Sequence, residues 1–362
     1  MTEPPVDQSA TLRRVRRVAK GLTTPLHPDD YLSLINPLWS ARELRGRIDR
    51  VIPETDDAAT LVIRPGWGWS FDHMPGQYVG IGVEIEGRFH WRSYSLSSPP
   101  RRTGRTITIT VKAMPEGFLS EHLVRGLAPG TIVRLAAPQG DFVLPDPPPE
   151  RMLFLVGGSG ITPVMSMLRT LERRGTMPDV DMVYSARNEA DMMFRAELNA
   201  LSAAHPRLRL HEHFADVAGF FGLHALDDLC SDWRSRETWA CGPAPMLDDI
   251  VEHFEQAGRG DHLHLERFSL ALAGDEASGG KVTFGSTGKT VEVDGATTLL
   301  EAGEAAGVNL LFGCRMGICH TCTVPLAAGR VRDMRTGEEH DQPNEHIQTC
   351  VSVAAGDCVL GI

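Results

Sequence analysis

The sequence predicts three folded units in series: an antiparallel β-barrel over residues 41–148, a doubly wound α/β domain over 149–270 and a small α+β domain over 281–362. Three observations carry this. Short alternating strands broken by turn residues fill the first region. A strand running into a glycine-rich turn and an amphipathic helix opens the second. Two strands, a short helix and a cysteine-rich loop fill the third. A chain of 362 residues also exceeds the size at which single cores stop growing. An apolar fraction of 42 % with 23 % charged residues is that of folded, water-soluble protein. No apolar run is long enough to span a bilayer, and MTEPPVDQSATLRRVRRVAK lacks the apolar centre of a secretory signal, so a cytoplasmic location is expected. The formal charge of -11 argues against broad nucleic-acid binding, which needs clustered basic surface to displace counterions.

Taken in order, residues 1–40 form an extension ahead of the barrel. Leu12, Val15, Val18 and Leu22 fall on one helical face, ringed by Arg13, Arg14, Arg16, Arg17 and Lys20. Such a helix either rests on an anionic membrane surface or acidic partner, at the inner face of the membrane, or packs on its own barrel with a solvated charged face. The barrel strands are read in RELRGRIDRVIPE, AATLVIRPG, GQYVGIGVEI, HWRSYSLSS, RTITITVKAM and TIVRLAAP. In the second unit RMLFLVGGSG leads into the helix ITPVMSMLRTLERRG, followed by strands DMVYSAR, RLRLHEHF and ETWACGP with helical MFRAELNAL and PMLDDIVEHFEQAG between them. That order gives a parallel sheet. Gly157, Gly158 and Gly160 allow close approach of a pyrophosphate, and the helix start supplies positive potential for it. Residues 271–280 are small and charged and read as a flexible linker. KVTFGSTGKTVEVD then gives two strands and TTLLEAGEAAG a short helix.

The most specific signal is Cys314, Cys319 and Cys322 in C-x4-C-x2-C, with Cys350 further on. This is the ligand spacing of a plant-type [2Fe-2S] cluster, for which soft thiolates are needed. A zinc site is the competing reading; it favours paired C-x2-C units, and only Cys319 and Cys322 make one. His320 lies between two ligands, but four cysteines already complete a site. Cys358 is read as a core thiol.

RSYSL, GGSGITP and CGPAPML, in that order, resemble the ferredoxin-NADP reductase superfamily, and the C-terminal domain resembles plant-type ferredoxins, with their β-grasp fold. The resemblance spans about residues 40–362. It implies an FAD-binding barrel, a nicotinamide-nucleotide domain and a cluster domain that passes electrons on singly. For the flavin it implies Arg92 at the phosphates, Tyr94 packed on the ring, Ser95 near N5, Ser93 beside them, backbone contacts at Val111 and Lys112, and phosphate contacts at Gly117 and Ser120. For the nucleotide it implies Gly158, Gly160, Thr162 and Pro163 at the pyrophosphate, and Cys241, Gly242 and Pro243 beside the nicotinamide. Glu266 and Phe268 are implied close to the flavin ring. Ser95, Cys241 and Glu266 are therefore the expected catalytic residues. Ser185 and Arg187, where a carboxylate would favour a free 2'-hydroxyl, suit a 2'-phosphate, so NADPH is expected over NADH.

The expected function is electron transfer from NADPH through FAD and a [2Fe-2S] cluster. The extension through DDYLSLINPLWS resembles reductases of membrane acyl-CoA desaturases, which implies such a desaturase as acceptor. The alternatives are a Rieske-type ring- or steroid-hydroxylating oxygenase as acceptor, and, in another class, a non-catalytic redox sensor.

Overall fold

A computed structural model describes residues 32, 35–39, 44–85, 88–100, 106–114, 118–268, 279–293, 297–312, 320–333 and 338–362. The N-terminal helix expected at 12–22, Gly117, linker residues 271–278, Cys314 and Cys319 lie outside them. The chain divides into two compact units, residues 1–266 and 267–362.

The first unit opens with six antiparallel strands: β1 (Arg45–Thr55), β2 (Ala58–Pro65), β3 (Tyr78–Ile85), β4 (Arg88–Ser95), β5 (Ile107–Lys112) and β6 (Ile132–Leu135). They pair in the order β4-β3-β6-β1-β2-β5. The sheet closes on itself where Leu96 bridges Ile109 and the Ser97 amide donates to the Thr108 carbonyl at 2.8 Å. Ile48, Leu61, Ile63, Val79, Ile81 and Ile107 fill its interior, β-branched and leucine side chains suited to a pleated surface.

Five parallel strands follow: β7 (Arg151–Gly157), β8 (Asp179–Ala186), β9 (Leu208–Phe214), β10 (Glu237–Cys241) and β11 (Leu263–Glu266). β7 is buried from Met152 to Gly157, as a central parallel strand covered on both faces must be. Helices Ile161–Arg174 and Arg195–Ala204 pack into one core with Phe154, Met182 and Trp239. Helix Ala244–Gln256 supplies Leu247, Ile250 and Phe254 to a second core with Leu153, Leu155 and Trp233. The strand order β11-β10-β7-β8-β9 reverses between β7 and β10, and a crevice for ligands opens at the C-terminal ends of strands at such a switch point.

The second unit is a mixed sheet of β12 (Gly280–Phe284), β13 (Lys289–Val293), β14 (Thr323–Asp333), β15 (Glu339–His340), β16 (Glu345–Gln348) and β17 (Ser352–Leu360). β12 and β17 run parallel, and β13, β14, β15 and β16 complete the sheet by antiparallel pairing. Helix Leu299–Ala305 starts at a capping box in which Thr298 Oγ1 accepts from the Glu301 amide and Glu301 accepts from the Thr298 amide. Cys358 is 2 % exposed within this core, where burial pushes its thiol up to about 11. No described helix is long and apolar enough to cross a membrane.

Candidate cofactor sites

The end of β4 carries the RSYSL motif against β3, with Tyr78 opposite Ser95, Val79 opposite Tyr94, Gly80 opposite Ser93 and Ile81 opposite Arg92. Burial deepens along the strand: Arg92 and Ser93 are exposed, Tyr94 is half-buried and Ser95 is 4 % exposed. Burial raises the Tyr94 phenol to about 12, with Arg92 pulling the other way. The hydroxyl therefore stays neutral. Val111 is buried in the barrel core, and Lys112 Nζ is tied to Asp57 at 2.6 Å, so what these two present at the last strand of the sheet is backbone. Ser120, in the short helix Phe118–Glu121, accepts from the Met114 amide at 3.1 Å.

β10 and β11 end side by side, with Cys241 directly opposite Glu266. Burial raises the Glu266 carboxyl to about 8, and the Ser95 hydroxyl beside it tempers the rise. Cys241 is fully buried; burial and then the charge of Glu266 hold its thiol well above the usual range, so it stays protonated. Neither Ser95 Oγ nor Glu266 Oε2 makes a well-formed hydrogen bond among the described residues. Buried polar atoms are rarely left so, and two together where strands end are suited to a polar ligand such as a flavin ring.

The glycine turn meets the same point. A Cβ on Gly160 would lie 2.0 Å from the Cys241 carbonyl oxygen, so only glycine lets the turn sit on β10. Gly158 has φ +52° with nothing within 4 Å of where a Cβ would be, leaving room for a bound group. Gly242 lies against Gly157, Pro243 lies close to it as well, Thr162 Oγ1 donates to the Ser159 carbonyl at 3.0 Å, and Pro163 is buried in the first turn of the helix. Tyr184, absent from the sequence expectations although it lies within DMVYSAR, donates its hydroxyl to the Gly158 carbonyl at 3.0 Å. Ser185 sits opposite Gly157 in the β7–β8 register, with a buried Oγ that has no protein partner among the described residues. Arg187 is exposed at the rim and pairs with Asp191 at 3.1 Å.

In the second unit Cys322 directly precedes β14 and Cys350 follows β16, and the β14–β16 pairing brings their sulfurs to 3.1 Å. Both are buried. Thr349 fixes the pair: its amide and its hydroxyl both donate to the Cys322 carbonyl, at 3.2 and 3.1 Å. The Cys350 sulfur, more than the opposing burial, pulls the Cys322 thiol down to about 6. Two sulfurs this close, one inclined to ionise, suit ligation to iron. His320 adopts a left-handed φ of 57° and is exposed. Phe268 is 43 % exposed and belongs to the second compact unit.

An antiparallel barrel, a parallel sheet with a glycine turn at its edge and a mixed-sheet domain with two buried, paired cysteines are the architecture of an NAD(P)H oxidoreductase that uses FAD and a [2Fe-2S] cluster. Residues 67–144 match the oxidoreductase FAD-binding domain family, 154–252 the oxidoreductase NAD-binding domain family and 282–355 the 2Fe-2S iron-sulfur cluster binding domain family. An NADPH oxidoreductase of Mycobacterium tuberculosis is 58 % identical over 350 residues, covering 96 % of this chain and 92 % of that protein. The glycine betaine monooxygenase reductase subunit of Chromohalobacter salexigens is 30 % identical, covering 87 % and 94 %. The ferredoxin reductase component of 3-ketosteroid-9-alpha-monooxygenase from Mycolicibacterium smegmatis is also 30 % identical, covering 79 % and 86 %. Phthalate dioxygenase reductase shares the fold, with a TM-score of 0.61 at 21 % identity over 88 % of this chain and 98 % of that one. The chain belongs to the ferredoxin-NADP reductase family, in the group that carries a C-terminal [2Fe-2S] domain.

Proposed function

We propose that this protein is the NADPH-dependent reductase component of an oxygenase system, passing single electrons to a separate oxygen-activating partner. The observation that carries the reading is the meeting of Ser95, Cys241, Glu266 and the Gly158–Gly160 turn at one edge of the parallel sheet. With FAD bound there, a hydride pair is split into single electrons that a [2Fe-2S] cluster hands on. Arg92 offers its guanidinium to flavin phosphate and Tyr94 a flat face to the ring, while Ser93 and the backbone of Val111 and Lys112 line the approach. Ser120, in the short helix Phe118–Glu121, is assigned to the flavin phosphates, as the resemblance also assigns Gly117. Gly160, Thr162 and Pro163 shape the pyrophosphate turn, and Gly242 and Pro243 keep the nicotinamide side of the crevice narrow. The small neutral Cys241 leaves the nicotinamide room beside the flavin. Glu266, protonated at neutral pH, has a proton to exchange through Ser95. Ser185 and Arg187 favour the 2'-phosphate of NADPH, in keeping with the name of the Mycobacterium tuberculosis relative.

Cys314, Cys319, Cys322 and Cys350 supply the four thiolates of the cluster. Relatives named as monooxygenase reductases favour an oxygenase acceptor. An acyl-CoA desaturase rests on a different observation, the N-terminal extension of basic residues and DDYLSLINPLWS. The test compares acceptors. Wild type should reduce ferricyanide and cytochrome c with NADPH in preference to NADH. Cys322→Ser should keep ferricyanide reduction and lose cytochrome c reduction. Equal loss of both would overturn the assigned order of carriers. Supplying a Rieske oxygenase or desaturase-containing membranes then decides the acceptor by which product depends on the protein.

A further inference from the structure

Helix Ile161–Arg174 begins immediately after the glycine turn. Ser166, Arg169 and Arg173 are spaced three and four residues apart and share one face of it. All three grip backbone carbonyls just beyond Ser95. Ser166 Oγ donates to the Ser98 carbonyl at 2.7 Å, Arg169 Nη1 to the Ser97 carbonyl at 2.7 Å, and Arg173 Nη2 to the Pro100 carbonyl. Arg169 is itself locked: Glu197 accepts from its Nε at 2.7 Å and its Nη2 at 2.6 Å, and Phe194 lies 5.0 Å from the guanidinium. A two-point pair of this kind fixes the guanidinium plane as well as its position.

On the barrel side the gripped segment is equally constrained. Ser97 Oγ bonds Thr108 at 2.9 Å and Thr110 at 3.0 Å, Thr110 bonds Thr60 at 2.7 Å, and Thr60 donates to Glu54 at 2.6 Å. His73 Nε2 shares the Ser98 carbonyl at 3.0 Å. One continuous chain of hydrogen bonds thus runs from Glu54 in β1 to Glu197 in the helix after β8. Ser97, Thr60 and Thr110 are all at most 5 % exposed, so little water competes with it.

We infer that Arg169 is a positioning residue: held by Glu197 and gripping the Ser97 carbonyl, it sets the register between the strand that ends in Ser95 and the turn at Gly158–Gly160. This rests on the assignment of the flavin to the first and the nucleotide to the second. One helix has the turn at its start and the flavin strand's continuation on its side, so a tilt of either domain appears directly in the distance between the reacting rings. A misplacement of about 1 Å costs on the order of a hundredfold in rate.

The test uses the FAD- and cluster-loaded enzyme in anaerobic stopped-flow with NADPH. Arg169→Met should slow flavin reduction by about tenfold or more and weaken the long-wavelength charge-transfer band of reduced flavin with NADP. FAD content and the concentration of NADPH giving half-maximal reduction should stay within about twofold of wild type, because on this reading Arg169 binds neither cofactor. Arg169→Lys, which keeps a donor for the Ser97 carbonyl, should recover part of the rate. Arg174→Met on the same helix, which removes an exposed pair with Asp146, serves as the control and should change nothing. Wild-type rate and band in Arg169→Met would overturn the proposal. If that variant loses FAD, Ser166→Ala and Glu197→Gln provide the milder perturbation; each should lower the rate by about threefold with the same spectral change, and unchanged kinetics in both would overturn the proposal. Failure of wild type itself to bleach with either nucleotide would instead remove the cofactor assignment beneath it.

Discussion

At the edge of the parallel sheet where its strands begin, Arg236 is 2 % exposed and its donors are fully used. Asp232 accepts from Nε at 2.8 Å and from Nη2 at 3.1 Å, the Asp179 carbonyl accepts from Nη1 at 2.9 Å, and Asp181 lies 3.1 Å from Nη2. Asp181 also takes Arg209 Nε at 2.9 Å and His211 Nε2 at 3.1 Å. Burial alone would raise its carboxyl; His211, Arg209, Cys230 and Arg236 together hold it well below the usual range. At the opposite edge, where the strands end, Glu266 is half-buried with its Oε2 out of solvent, the buried Ser95 hydroxyl of barrel strand β4 stands beside it without a well-formed bond, and the Glu266 carboxyl sits at about 8. The parallel sheet thus keeps buried charge densely paired where its strands begin, and where they end it holds a carboxyl that only the Ser95 hydroxyl of the barrel approaches. The paired edge holds the fold; the sparsely bonded edge is the one to which the proposed function assigns the flavin. Asp181, Cys230 and Asp232 approach one another closely enough to suggest a metal, but with Arg209 and Arg236 already on these carboxylates the cluster is neutralised from within.

The contrast can be broken by exchanging the consequences of mutation at the two edges. The largest expected effect is Arg236→Met, which removes the buried cation shared by Asp179, Asp181 and Asp232 and should cost roughly 3–5 kcal/mol in urea unfolding of the first unit, with the hydride-transfer rate of the surviving folded enzyme unchanged. Next, Glu266→Gln should slow flavin reduction by about a hundredfold while the fold is retained. Its stability effect depends on pH with a definite sign. A carboxyl raised from 4.5 to about 8 binds its proton in the folded chain over that interval, so the native contribution falls as pH rises through it. Melting of flavin-free protein should therefore show Glu266→Gln gaining on wild type from pH 4.5 to about 8 and no further beyond. Asp181 should behave in the opposite sense. Its contribution is complete above the ordinary value of 3.8 and is lost as the pH falls toward its lower folded value, so the gap between wild type and Asp181→Asn should narrow on acidification. The smallest effect is Ser185→Ala: KM for NADPH should rise severalfold with KM for NADH and melting temperature unchanged, and a parallel rise for both nucleotides would remove Ser185 from the choice of nucleotide.

Much of this was legible in the sequence because the signals are local. The alternating strands, the turn after RMLFLV and the spacing of Cys314, Cys319 and Cys322 each lie within a dozen residues. RSYSL and CGPAPML are visible as motifs, although the approach of Ser95 to Glu266, and of Glu266 to Cys241, depends on a strand order that no single stretch encodes. What could not be read was assembled from distant positions. Asp181 and Arg236 come from β8 and the approach to β10, and their own neighbours give no hint of a pair. Arg169 looks like one solvated arginine among several in MLRTLERRG; its grip on Ser97 exists only after the helix packs on the barrel. Thr349 likewise owes its hold on Cys322 to the β14–β16 pairing.

The contact of Gly160 with the Cys241 carbonyl has a consequence for redesign. Any side chain at Gly160 would displace β10, and with it Cys241 and the neighbouring Glu266, so nucleotide preference cannot be retuned at the turn without disturbing the chemistry beside it. The end of β8 carries no such constraint. Arg187 stands at the rim and the half-buried Ser185 close behind it, and on the proposed assignment exchanging them for residues suited to a different ribose would leave Cys241 and Glu266 in place. If the proposed roles hold, which coin is accepted and the machinery that spends it are separable, and the separation runs along the strand register between β7 and β8.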